Sequence, residues 1–202
     1  MRRPLATLAA LTLAAISLAS CAGAPDPAPT DRITTSSLPP GSLPDRVAYL
    51  QTDPRWAADP LGNTTDTMGS DGCLVTAVAM AVTNLGVPMD PAQLNRRLRA
   101  ANAFTPRGWL VWSGVSDATG GRAKAIYHDS VSPALIRQCM ADGAYPLVRF
   151  ILPNGRSHWA MIVAEDANGH YRMRDPLRAS RSPLIFPRGA DAFKSLRCVG
   201  LA

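Results

Sequence analysis

Cys73, His158 and Asp175 occur in that order along the chain. They supply a thiol nucleophile, a base to take its proton and an acid to hold the base in one tautomer. Cys73 follows Ser70-Asp71-Gly72 and opens an apolar run. A thiol at a helix start meets unpaired N–H groups and the positive end of the dipole, and both favour thiolate. Asp71 opposes that effect if its side chain lies close. Gly72 lets the backbone turn sharply and keeps one side of the sulfur clear. Taken singly, each residue has a plainer role. A buried Cys acts as a small hydrophobe, His158 as a strand-edge donor, and Asp175 as a turn residue before Pro176.

The elements that must position these groups divide into a helical first half and a stranded second half, an α+β arrangement. Residues 73–85 are apolar on nearly every face and stop at Gly86 and Pro88, which predicts a buried helix. Asp90-Pro91-Ala92-Gln93 reads as an N-cap, Pro at the first helical position and a capping-box Gln. Ser132-Pro133 opens a further helix. Residues 145–152, 158–164 and 171–175 predict an antiparallel meander punctuated by Pro153-Asn154-Gly155 and Asn168-Gly169. Residues 184–186 and 196–201 add short strands. Residues 104–130, with Trp109 and Trp112 among Gly and Pro, fit neither period. A five-residue turn over 165–169 pairs Ala164 with His170 and sets His158 opposite Pro176, so one bulge brings His158 beside Asp175. A two-residue Asn168-Gly169 turn separates them instead.

The ordered set resembles the papain-like cysteine peptidase superfamily, and more narrowly the bacteriocin-processing (double-glycine leader) peptidases and their stand-alone relatives. The likeness rests on Tyr49-Leu50-Gln51-Thr52-Asp53-Pro54-Arg55-Trp56, Gly69-Ser70-Asp71-Gly72-Cys73, Ser157-His158-Trp159-Ala160-Met161-Ile162-Val163 and Arg174-Asp175-Pro176, and spans 47–176. The resemblance implies a papain-like fold, with an N-terminal helical part packed on a C-terminal antiparallel sheet. It implies Cys73 as nucleophile, His158 as base and then acid, Asp175 as the orienting acid, and Gln51 with the Cys73 N–H as the oxyanion hole. Gln51 stands 22 residues before Cys73. In the leader peptidases the Gln lies only a few residues ahead. An insertion over 61–67 that folds back would restore it, and Thr67 or Ser70 are alternative donors. The activity so implied is hydrolysis of a peptide or amide bond in a peptide or protein substrate through an acyl-enzyme, without cofactor. Two rivals share the fold: an inactive peptide-binding protein and an acyl or amide transferase using the same triad.

Of the remaining thiols, a Cys139–Cys198 bridge leaves Cys73 free. Two buried thiols, or a bridge made by Cys73 itself, are the alternatives. His128 and His170 read as loop residues. No Cys-x-x-Cys or His-x-x-x-His pair occurs, so no metal site is expected. The four Trp residues read mainly as core, with one or two available to line a groove.

Met1-Arg2-Arg3 is a basic n-region before the apolar stretch 5–19, and Leu18-Ala19-Ser20-Cys21 resembles a lipobox. The expectation is a signal peptide over 1–20, lipidation of Cys21, a Pro/Ser-rich tether over 21–46 and one domain over 47–202. Such a protein is exported and lipid-anchored to the membrane surface of the cell envelope. Cleavage leaves 19 basic residues against 15 acidic ones. That balance demands no nucleic-acid partner, and no nucleic-acid motif accompanies the Arg96-Arg97-Leu98-Arg99 cluster. Oligomeric state is not encoded in any of these patterns.

Overall fold

The structure is a computed structural model that describes residues 39–202. Cys21, the signal region and most of the tether lie outside the described residues. The first half is helical: α1 (Met68–Asp71), α2 (Cys73–Asn84), α3 (Pro91–Ala100), α4 (Gly114–Ala118) and α5 (Pro133–Ala141). β1 (Ala123–His128) precedes α5, and β2 (Tyr145–Ile151), β3 (Ser157–Glu165), β4 (Tyr171–Arg174), β5 (Leu184–Ile185) and β6 (Ser195–Leu201) follow it. They form one six-stranded antiparallel sheet of order β1-β6-β2-β3-β4-β5.

Local chemistry accounts for the helix boundaries. The Asp90 carboxylate accepts from the Gln93 N–H at 2.7 Å while Gln93 reaches back to the Asp90 N–H, and Pro91 opens α3. Ser132 caps α5 by accepting from the Leu135 N–H. Helix α2 carries Ala77 to Val82 fully buried, so it is a core helix rather than an amphipathic one. It packs with Leu147, Met161 and Val163 on one face of the sheet. The opposite face packs Ile136 and Cys139 of α5 against Val148, Phe150, Ile162 and Leu196. Cys139 and Cys198 form a disulfide between α5 and β6, with Cα atoms 5.7 Å apart.

Two expectations need correction. The ambiguous stretch 104–130 holds α4 and β1, so His128 ends a strand and is not a loop residue. Residues 43–46 are not tether. Leu43 is buried and its N–H donates to the Val163 carbonyl at 2.8 Å. The Pro44 carbonyl accepts from the Tyr145 hydroxyl, and Asp45 pairs in two-pronged fashion with Arg174, both contacts at 2.7 Å. Their partners lie 101 and 129 residues onward, so Pro-rich composition masks the docking.

Candidate active site

Cys73 opens α2 and is the free cysteine among the described residues. The turn before it is tightly fixed. Thr67 and Ser70 cap α1 through one another's hydroxyls, so both alternative oxyanion donors are already engaged. Gly72 has φ −77°, an ordinary value, and its need for glycine is spatial: a Cβ there would run into the Met68 carbonyl. Asp71 faces Arg156 at 3.1 Å, and Arg156 also donates to the Ser70 carbonyl at 2.9 Å. The β2–β3 turn therefore holds the loop before Cys73 and offsets the charge of Asp71. Neither contact was anticipated from the sequence.

His158 lies near the start of β3, almost wholly buried, with its ring edge-on to Phe150. Its Nε2–H donates to Asp175 Oδ1 at 2.6 Å, and the Leu177 N–H donates to the same oxygen at 2.9 Å. The register that achieves this differs from expectation. The five-residue turn is shifted one place on, so Glu165 pairs with Tyr171 and Ala164 with Arg172. A bulge between Ile162 and Ala164 then moves the ladder to Met161 opposite Arg174. Asp175 thus leaves the sheet one residue past the last pair, free to turn toward His158.

Burial pulls the His158 imidazole down. The hydrogen bond to Asp175, with hydrogen bonding and charge at Cys73, outweighs burial and raises it to about 9. Burial likewise pushes the Asp175 carboxyl up, and the hydrogen bond and charge of His158 overcome this and hold it below its ordinary value. Cys73 and His158 line the same cleft, and with Nε2 taken by Asp175, Nδ1 is the ring nitrogen left to face the thiol.

Gln51 returns to the site despite its distance in sequence. Its backbone N–H donates to the Pro176 carbonyl at 2.9 Å, and its Nε2 donates to the Gly69 carbonyl at 2.8 Å. The intervening chain folds back through the Pro60–Thr67 bridge and the Trp56 indole, which donates to the Leu50 carbonyl. Gln51 is buried, its Oε1 has no partner, and it lines one cleft with Cys73 and His158.

That cleft measures about 1050 Å3. Trp112 and Trp159, with ring centroids 5.6 Å apart, form part of its wall beside the exposed Trp109. Trp56, by contrast, is core. No protein-family model and no curated protein sequence matches the chain. His128, Cys139 and Cys198 cluster within 4.8 Å, but the bridge commits both sulfurs.

Proposed function

We propose that this chain is a thiol-dependent hydrolase of papain-like fold that cleaves peptide or amide bonds through an acyl-enzyme. In this proposal it is carried by an exported protein anchored through a lipid on Cys21. One observation carries the catalytic reading: a buried imidazole is held through Nε2 at 2.6 Å by a carboxylate, and a free thiol at the head of a core helix lines the same cleft. That is the constellation a thiolate–imidazolium pair requires.

In the proposed reaction the Cys73 thiolate attacks the substrate carbonyl carbon, forming the S–C bond and an oxyanion. The Cys73 N–H and the second amide hydrogen of Gln51 donate to that oxygen. The oxyanion collapses, the C–N bond breaks, and the His158 imidazolium gives its proton to the leaving amine. Water then attacks the thioester while His158 takes its proton. The S–C bond breaks, releasing the acid and restoring thiolate and imidazolium.

The test is the pH dependence of Cys73 alkylation by iodoacetamide in the full chain, read by mass spectrometry of the Cys73 peptide. Wild type, His158→Ala and Asp175→Asn are compared. The expected result is rapid alkylation near pH 6 that His158→Ala removes. An ordinary thiol titration near pH 8.5, the same in all three, overturns the proposal and leaves a binding protein. Peptide hydrolysis with and without added amine separates hydrolase from transferase.

A further inference from the structure

The hydrolase reading leaves one side of the cleft unexplained. Four arginines line it, at 107, 149, 156 and 197, against Asp66 and Asp71. Arg156 is committed to Asp71. Arg107, Arg149 and Arg197 make no ion pair with a carboxylate among the described residues; Arg107 lies over the exposed Trp109 ring at the rim, whereas Arg149 and Arg197 are fixed on the sheet.

Their placement is set by the sheet. Arg149 of β2 stands opposite Ser195 of β6, and Arg197 stands two residues further along β6 opposite Leu147. Both therefore project from the same face as a diagonal pair, about 7–8 Å apart by the usual spacing of such positions. Trp159 stands opposite Arg149 on β3, and both arginines line the cleft that also holds Cys73 and His158. Like charges on neighbouring strands disfavour the sheet unless something lies between them.

Arg197 is the more telling of the two. Its residue is 6% exposed, its guanidinium carbon lies 3.2 Å from the centroid of the Tyr127 ring, and its Nε is buried with no partner. Nη1 donates to the His128 and Leu196 carbonyls. Arg149 donates only to the Ser195 and Ser157 hydroxyls. Burying a guanidinium without an ion-pair partner is costly; these hydrogen bonds are all to neutral groups, and the charge of Asp129 acts on Arg197 without pairing with it. Two guanidinium groups that line the cleft and pair with no carboxylate suit one arriving with a ligand.

We infer that the Arg149–Arg197 wall is an anion subsite, and that the cleft takes acidic peptides, whose Glu or Asp carboxylate docks there while the scissile carbonyl meets Cys73. This deepens the hydrolase proposal and rests on it for the identity of the site.

The test uses two reagents that differ in charge. Cys73 of the full chain is alkylated at low ionic strength with iodoacetate and with iodoacetamide, and the ratio of the two rates is the readout. Arg149→Gln and Arg197→Gln should each lower that ratio about fivefold, and Arg149→Lys should restore most of it. Arg96→Gln, the same charge change on exposed α3, should leave it unchanged. Wild type alone provides a second arm: glutarate should slow iodoacetamide alkylation, and uncharged glutaramide should not. In hydrolysis, a Glu peptide should exceed its Gln counterpart in kcat/KM about tenfold. An unchanged ratio together with no glutarate protection overturns the subsite, even if peptides are cleaved. A lowered ratio with glutarate protection but no cleavage of any peptide upholds the subsite and overturns the hydrolase instead.

Discussion

With Nε2 bound to Asp175, Nδ1 of His158 is the atom that exchanges a proton with Cys73 in the proposed reaction. Replacing His158 by Ala should lower kcat on a cleaved peptide by a factor on the order of 10²–10⁴. The alkaline side of the pH profile belongs to the same ring. The imidazolium must protonate the leaving amine, so kcat should fall as pH rises through about 9. A rate that keeps climbing past that point contradicts the assignment. Gln51→Ala should cost about 10²–10³ in kcat with little change in KM, because the oxyanion exists only along the reaction path. The residue types of this site are legible in sequence, since thiol, imidazole and carboxylate keep their order. Gln51 is harder to place, because its return depends on turns over 52–67 that no periodicity marks. Arg149 and Arg197 carry a signal that pattern reading passes over: a cation inside an otherwise apolar strand (Leu147-Val148-Arg149-Phe150 and Leu196-Arg197-Cys198).

At the level of elements, α2, α3, α5 and β2 to β6 are marked by caps, apolar periods and turn residues, and each lies within a residue or two of where those marks put it. The exception is β1. As an edge strand paired only with β6 among the described strands, it exposes Lys124 and the consecutive Ile126 and Tyr127, so its alternation is blurred. The chain before Val47 is a second element hidden by composition, and its energetics are testable. Asp45 and Arg174 are both about 7% exposed at the side chain, so removing one partner strands a buried charge. Asp45→Ala should cost roughly 3–5 kcal/mol in denaturant unfolding. The site should suffer with it, since Arg174 immediately precedes Asp175. A protein begun at Val47 should show the same loss. The disulfide closes a separation of 59 residues between α5 and β6. Replacing Cys139 and Cys198 together by Ser should lower stability by about 2–5 kcal/mol while leaving Cys73 alkylation intact.

The whole molecule inherits a pH signature from its site. His158 is raised in the folded protein, so its contribution to stability is complete below its ordinary value of 6.5 and is lost as pH rises through about 9. Asp175 is lowered, so its contribution is complete above 3.8 and is lost as pH falls through its depressed value. The two overlap fully between 3.8 and 6.5. In thermal scans His158→Gln should flatten the decline of Tm on the alkaline side; equal slopes in both proteins would separate the ion pair from the fold. The order of the sheet has a consequence for how the protein is made. β6 lies between β1 and β2, and among the described residues β1 has no other strand partner. The interior strand is therefore the one synthesised after all the others. Until it has emerged, β1 has nothing to pair with, one edge of β2 is open, and Cys139 has no sulfur to join. Closure of this sheet therefore waits on β6, and a chain held short of that strand leaves β1 and one edge of β2 open to wrong partners.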